Sequence, residues 1–119
     1  MKVLYLDVKN GQPLVETEIA DDNINEYYRL LDCDCFDIVY RNRYGHKFCV
    51  ICDDCGALDE DRKMSIWFSP FDAIFGNVVI TGPSDREGNL TDVDPGLYEK
   101  LLKISQVQLD DYYVLFCKK

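Results

Sequence analysis

The sequence predicts an α+β fold in which a mixed, mainly antiparallel sheet is built from hairpins and carries two short helices on one face. Three observations indicate it: β-favouring segments joined by short turns, two segments with helical spacing, and no strand–helix–strand alternation of the parallel type. The chain has 119 residues, which is close to the commonest domain size, so we expect one globular domain over residues 1–119.

A hairpin and a helix are expected first. Residues 2–8 and 13–19 favour β-structure, and the Asn10-Gly11 pair between them is a strong turn signal. Asn23 is typical of a helix N-cap, and apolar residues then recur at helical spacing over residues 24–31.

The middle of the chain has the clearest local pattern, a second hairpin. Residues 35–41 and 46–52 are strand-like, and the turn between them contains Gly45, which adopts left-handed backbone conformations without strain. The predicted register aligns three pairs: Arg41 with His46, Cys35 with Cys52, and Ile38 with Cys49.

The second half is less regular. Residues 59–75 contain several aromatic side chains, but their apolar positions follow neither the helical nor the strand period. The pattern therefore predicts no structure for them. A buried strand is expected over 76–82, a helix over 95–105 with Asp94 as its cap and a proline at the first helical position, and a last strand over 112–116.

Charge narrows the classes of partner. The chain has 13 Lys and Arg residues and 22 Asp and Glu residues, which gives a formal charge of −9 and a pI near 4.4. Such a surface repels nucleic acid phosphates and anionic membranes, so direct binding to either is not expected. The N-terminus lacks a signal-peptide pattern and no apolar run is long enough to span a membrane. We therefore expect a cytoplasmic protein.

The cysteines are the sharpest candidates for chemistry. A Cys-x-Cys pair and a Cys-x-x-Cys-Gly turn, brought together by the predicted hairpin register, would provide four thiolates for a structural zinc ion: Cys33, Cys35, Cys52 and Cys55. Buried free cysteines acting as small apolar side chains are the commoner alternative, and it is preferred for Cys49 and Cys117. No other cofactor is expected.

Catalysis is the weaker hypothesis. Phosphate-cradling loops, nucleophile elbows and dinucleotide fingerprints are absent from the sequence. The single histidine, His46, lies at a hairpin tip with no nucleophile placed beside it by local spacing. A cysteine-dependent enzyme of unknown substrate is retained as the alternative, and no catalytic residue is assigned.

Four stretches carry a family resemblance: residues 36–39, 50–58, 76–80 and 87–92. On these the chain resembles the uncharacterised bacterial family catalogued as domain of unknown function 3846, over about residues 24–104. The resemblance implies fold kinship and no established reaction. Proteins of that kind are typically carried by phages and other mobile elements of gut-type bacteria, which would imply an accessory role. The family position that matches Cys55 is usually acidic, so this chain departs there.

The favoured function is therefore a protein-binding module, acting against a host defence nuclease or another DNA-handling protein. The partner-binding residues predicted are an acidic run and a basic hairpin tip: Asp53, Asp54, Asp59, Glu60 and Asp61, with Arg41, Arg43 and Tyr44. Mimicry of DNA would require these acids to cluster, because duplex DNA presents roughly 20 phosphates along a domain of this length. An acidic surface that only maintains solubility is the alternative. The oligomeric state is not predicted.

Overall fold

The computed structural model describes residues 1–20 and 24–118, in which nine strands and two α-helices are present. The strands are β1 Lys2–Leu6, β2 Val15–Glu18, β3 Phe36–Arg43, β4 His46–Asp53, β5 Met64–Ser69, β6 Asp72–Phe75, β7 Val78–Thr81, β8 Gln106–Leu109 and β9 Tyr112–Phe116. The helices are α1 Ile24–Leu31 and α2 Pro95–Lys100, which continues into a π-helical turn, Leu101–Ser105. Two short 3-10 turns are Val8–Asn10 and Gly56–Leu58.

The strands form two sheets, a five-stranded one of order β2-β1-β7-β4-β3 and a four-stranded one of order β6-β5-β9-β8. Every pairing is antiparallel except that between β5 and β9, which is parallel. The predicted α+β class and its construction from hairpins are confirmed. Two sheets form instead of one because residues 64–75, for which no structure was predicted, fold into a hairpin that pairs with the last strand.

The larger core lies between the sheets. It joins Leu4, Val50 and Ile80 of the five-stranded sheet to Ile66 and Leu115 of the four-stranded sheet, and all five are fully buried. Helix α2 adds Leu97 to this core, and the π-helical turn that follows it adds Leu101. Successive side chains of a strand point to opposite faces of the sheet. The residues on either side of each of these core residues along its strand therefore lie on the face that points away from this core.

A smaller core lies on the other face of the five-stranded sheet. Helix α1 contributes Tyr27, Leu30 and Leu31, which pack with strand residues Val3, Ile51 and Val79. The arrangement of the helices thus differs from the expectation in detail, since α1 and α2 belong to different cores instead of sharing one face. Strand β7 is buried on both sides, which explains its uninterrupted apolar sequence.

The register predicted for the β3–β4 hairpin is wrong by two residues. Arg43, and not Arg41, lies opposite His46. The strands extend this far because the turn is only two residues long, with Tyr44 and Gly45 at φ 57° and 78°, the left-handed conformations of a tight hairpin turn. The shift places Asp37 opposite Cys52 and Tyr40 opposite Cys49, so the predicted Cys35–Cys52 and Ile38–Cys49 pairs do not form.

Other local predictions are confirmed. Helix α1 spans Ile24–Leu31, although its predicted cap Asn23 lies outside the described residues. Helix α2 begins at Pro95, and the Asp94 carboxylate caps it by accepting a hydrogen bond of 2.9 Å from the Gly96 N–H. No helix in the described part of the chain has the length and apolarity needed to cross a membrane.

Truncating Leu31 to alanine tests how much the smaller core contributes to stability. Leu31 is fully buried, so we expect Leu31→Ala to lower the free energy of unfolding by about 2 to 5 kcal/mol. Leu58→Ala is the matched control, because 82% of Leu58 is exposed, and its loss should stay within about 0.5 kcal/mol. Urea denaturation measures both. Equal losses would contradict the packing of α1 described here.

Candidate functional site

The predicted acidic residues lie in one folded surface segment that leaves the end of β4. Asp53 is the last residue of β4, and its Oδ1 accepts a hydrogen bond of 2.9 Å from the Cys55 N–H. Asp59 Oδ1 accepts one of 3.0 Å from the Asp61 N–H. Gly56 sits so close to β6 that a Cβ there would lie 2.4 Å from the Phe75 carbonyl oxygen. The segment is therefore held against the four-stranded sheet by its backbone.

The carboxylates of this segment face solvent. Asp54, Asp59, Glu60 and Asp61 are exposed and Asp53 is half-buried. Within the described part of the chain, none of these five forms an ion pair with a lysine, arginine or histidine. These carboxylates therefore have no ion-pair partner in the described part of the domain, and a partner's cations can approach the four that are exposed.

Two recesses adjoin the segment and share Asp53. One, of about 410 Å³, has Asp53, Asp59 and Asp61 in its wall together with three cations: Lys9, Arg62 and Lys63. A smaller one of about 210 Å³ lies between the edge strands β3 and β6, and its wall includes five charged side chains: Asp37, Arg41, Asp53, Asp54 and Asp72. The structure therefore brings four of the five predicted acids to the walls of two neighbouring recesses, and Glu60 lines neither.

Two large exposed apolar side chains, each next in sequence to a residue of the smaller recess, were not predicted as site residues. Leu58 is 82% exposed and Phe71 is fully exposed, at 101%. Leu58 directly follows Ala57, and Phe71 directly precedes Asp72. Ala57 and Asp72 both belong to the wall of the recess. A phenylalanine directly after Pro70 in a turn was the available signal, but the aperiodic pattern around it concealed the turn.

The predicted basic tip is engaged inside the domain. Arg41 and Arg43 each hold a guanidinium carbon 5.0 Å from the centroid of the Phe68 ring. Arg41 also pairs with Asp72 at 2.8 Å, and Arg43 Nε donates to the Cys117 carbonyl at 3.1 Å. These contacts tie β3 to the four-stranded sheet.

Tyr44 and His46, at the same tip, contact the two ends of the helical segment that runs from its cap, Asp94, to Ser105. The Tyr44 and Ser105 hydroxyls are 2.7 Å apart, and His46 Nδ1 lies 2.8 Å from Asp94 Oδ2. The Gly96 N–H first, and the His46 hydrogen bond second, lower the pKa of Asp94. Because the pKa of Asp94 is lower in the folded state than its ordinary value, these hydrogen bonds to the carboxylate stabilise the folded state at neutral pH. That stabilisation is lost as the pH falls through the lowered pKa.

The four candidate zinc ligands are not arranged as a shared donor set. Cys35 and Cys55 are exposed, Cys33 is half-buried and Cys52 is buried. Burial is the largest cause that raises the pKa of Cys52 to about 11, which opposes the thiolate form that zinc requires. Among residues 1–20 and 24–118, no three Cys, His, Asp or Glu side chains come together to hold a metal ion. The zinc hypothesis therefore receives no support from the geometry.

Fold and site together define an acidic α+β domain of two packed sheets whose exposed chemistry is carboxylate and apolar. A family model described as "Domain of unknown function (DUF3846)" matches residues 1–106. The chain belongs to that family, as its resemblance had indicated. Neither the search of curated proteins nor the search of solved structures found a significant match. The family match ends at the first residue of β8, so most of the β8–β9 hairpin lies beyond it.

Thiol reactivity should divide the six cysteines into two groups. At about pH 8, iodoacetamide should alkylate the exposed Cys35 and Cys55 in the folded protein at least roughly tenfold faster than Cys49, Cys52 and Cys117. Burial raises the pKa of Cys117 to about 12 and raises that of Cys49 as well. Peptide mass spectrometry after timed quenching measures the rates, and protein in urea, where all six should react alike, is the control. Rapid alkylation of Cys52 in the folded state would contradict the burial described.

Proposed function

We propose that this domain is a non-enzymatic protein-binding module that docks through its acidic segment on a partner with a basic surface. The observation that carries the proposal is a set of five carboxylates that form no ion pair with the described residues, four of them exposed and one half-buried: Asp54, Asp59, Glu60 and Asp61, with Asp53. Unpaired charge of one sign accelerates encounter with a partner of the other sign and orients the approach.

Leu58 and Phe71 would add apolar contacts, and so affinity, to the charge of the acidic segment. Interfaces draw most of their affinity from a few apolar or aromatic side chains surrounded by polar residues. Leu58 and Phe71 are each next in sequence to a residue that lines the recess containing Asp53 and Asp54, and both are almost entirely exposed. We propose them as the anchors of the acidic docking surface, which comprises the five carboxylates together with Leu58 and Phe71.

Mimicry of DNA is less well supported than ordinary docking. The longest dimension of the domain is 38 Å, along which duplex DNA presents roughly 22 phosphates. The formal charge of the chain is −9, and the acidic segment holds only part of its carboxylates. A local acidic patch on a basic protein partner fits these magnitudes better than replacement of a whole duplex.

The setting is part of the same proposal. We infer a cytoplasmic accessory protein of a bacterial mobile element or phage, acting as one domain over residues 1–119. The cytoplasmic assignment is supported by six free cysteines, which suit a reducing compartment. The mobile-element setting is supported only by the kinds of protein that the family resemblance implies.

Reversing exposed acidic charge tests the docking surface. We expect the triple variant Asp54→Lys, Glu60→Lys and Asp61→Lys to bind the partner at least about tenfold more weakly, with a flatter dependence on salt, because Coulomb attraction to the basic surface is lost. These three were chosen because their carboxylates make no hydrogen bond to described residues, whereas those of Asp53 and Asp59 support the turn. A partner captured from a native-type bacterial host is titrated by calorimetry at several salt concentrations.

The control makes the same charge change elsewhere. Glu16, Glu18 and Glu99 are exposed and lie outside the acidic segment, so their replacement by lysine alters net charge equally while sparing the site. Circular dichroism confirms that both triples fold. If both bind the partner as tightly as the unaltered chain, the acidic docking surface is wrong. If both weaken binding equally, only net charge matters.

Removing the Phe71 ring separates anchoring from stability. Because Phe71 is fully exposed, Phe71→Ala should change the free energy of unfolding by less than about 0.5 kcal/mol. Loss of an aromatic anchor should weaken binding to the same captured partner by about 2 kcal/mol, roughly thirtyfold. Unchanged affinity in the folded variant would remove Phe71 from the interface.

A further inference from the structure

Strand β2 forms one edge of the five-stranded sheet, and β1 is its only strand neighbour in the described part of the chain. Its side chains alternate between the two faces of the sheet. Val15, Glu16 and Glu18 are exposed and Thr17 is half-buried, so neither face of the strand is covered. The edge that points away from β1 is therefore accessible to another molecule.

The direction of the backbone groups of β2 follows from its pairing with β1. The Met1 ammonium donates to the Ile19 carbonyl at 2.8 Å, and the Ile19 N–H donates to the Met1 carbonyl at 3.0 Å. Hydrogen-bonded and non-hydrogen-bonded pairs alternate along an antiparallel ladder. Thr17 and Val15, two and four residues before Ile19, therefore also direct their N–H and C=O groups toward β1.

Glu16 and Glu18 consequently direct their N–H and C=O groups away from β1. Leu14, two residues before Glu16, shows the same direction, because its N–H donates to Gln106 Oε1 at 2.7 Å, outside the ladder with β1. Among the described residues, none bonds to the outward backbone groups of Glu16 or Glu18. Two donors and two acceptors thus lie unpaired along this edge.

The opposite edge of the same sheet is different. At β3, arginine side chains donate hydrogen bonds to two outward carbonyls, those of Tyr40 and Asn42. No side chain of the described residues does this for the outward groups of β2. A row of unpaired N–H and C=O groups is a template on which another extended segment can pair.

Charge discriminates between the possible occupants of the β2 edge. The side chains of Glu16 and Glu18 lie on one face of the strand, and neither forms an ion pair with a described residue. If two copies of β2 paired antiparallel through this edge, outward residues would face outward residues, so glutamate would lie opposite glutamate. Like charges directly opposite each other are destabilising, whereas lysine or arginine opposite glutamate is favourable.

We propose that the β2 edge binds an extended basic segment of a partner protein as a further antiparallel strand, with lysine or arginine opposite Glu16 and Glu18. The antiparallel direction continues the pattern of this sheet, in which every pairing is antiparallel. The residues between the basic ones lie beside Val15 and Thr17, where β-branched side chains pack well. This site reads the backbone of its ligand and is separate from the acidic docking surface.

The test uses three synthetic peptides of about eight residues that alternate lysine with valine and differ only in which backbone nitrogens are methylated. Lysines opposite the glutamates direct their own N–H groups toward β2. The peptide methylated on its valines therefore keeps every donor that β2 needs, and calorimetry should show saturable binding. The peptide methylated on its lysines can pair only with valines opposite the glutamates, and should bind at least about fivefold more weakly. The fully methylated peptide, of equal charge, should not bind measurably.

Hydrogen exchange measured by NMR locates the binding. In the protein alone, the Glu16 and Glu18 amides should exchange faster than the Thr17 amide, which is bonded to β1. Saturation with the valine-methylated peptide should slow exchange at Glu16 and Glu18 by at least about tenfold and leave Thr17 nearly unchanged. Unprotected Glu16 and Glu18 amides in the presence of bound peptide would overturn the proposal.

Matched charge variants test the role of the glutamates. Glu16→Gln with Glu18→Gln should weaken binding of the valine-methylated peptide by about fivefold and remove most of its advantage over the lysine-methylated one. Glu87→Gln with Glu99→Gln makes the same change in net charge at exposed residues away from β2, and should leave binding within about a factor of two. Equal effects of the two pairs would mean that only net charge is read, and would overturn the proposal.

The remaining outcomes separate this site from its alternatives. Equal binding of all three peptides, or binding of none, would show that the edge does not pair with a strand and overturns the proposal. A concentration-dependent dimer in sedimentation velocity, with the outward amides protected in the absence of peptide, would assign the edge to a second copy. Peptide binding retained in the acidic triple variant of the docking test supports the proposal, whereas its loss there would transfer the peptide to the acidic docking surface. In that docking test, loss of the captured partner confined to the control triple would support β2 and contradict the acidic docking surface.

Discussion

The burial of facing side chains between the two sheets determines where almost every other functional group lies. Leu4, Val50 and Ile80 on one side meet Ile66 and Leu115 on the other, with no exposed surface remaining on any of them. Burying each such side chain contributes roughly 1.5 to 3 kcal/mol, and turning one strand over would expose its whole apolar set. The outward positions therefore follow from the inward ones, and α1 covers the outer face of only one sheet.

The second constraint is the contact of the long β3–β4 hairpin with the neighbouring sheet. Arg41 and Arg43 enclose Phe68 and reach Asp72 and the Cys117 carbonyl. Guanidinium groups suit this position, because they stack on an aromatic ring and still donate hydrogen bonds in their plane. In the sequence, the local positive charge of this tip resembled a binding patch. In the structure, the same arginines make contacts within the domain.

The same arginines also shield an open strand edge. In a two-residue hairpin the residues next to the turn are hydrogen-bonded to each other, so alternate residues of β3 direct their backbone groups outward. Of these, the Tyr40 and Asn42 carbonyls accept hydrogen bonds from Arg41 and Arg43, and Asp37 accepts one from the Ile38 N–H. Occupied edge groups disfavour the addition of a further strand to β3.

Local patterns were sufficient for elements whose signals are short in range. Residues 24–31 and 112–116 were predicted with the bounds that the structure has, because helical spacing and a compact apolar run are properties of neighbours. The β3–β4 register failed because it depends on turn length, and an error of two residues preserves the alternation of faces. The β5–β6 hairpin escaped prediction because its register shifts twice, which obscures the period. Leu58 and Phe71 are distinguished only by their exposure, which is a tertiary property.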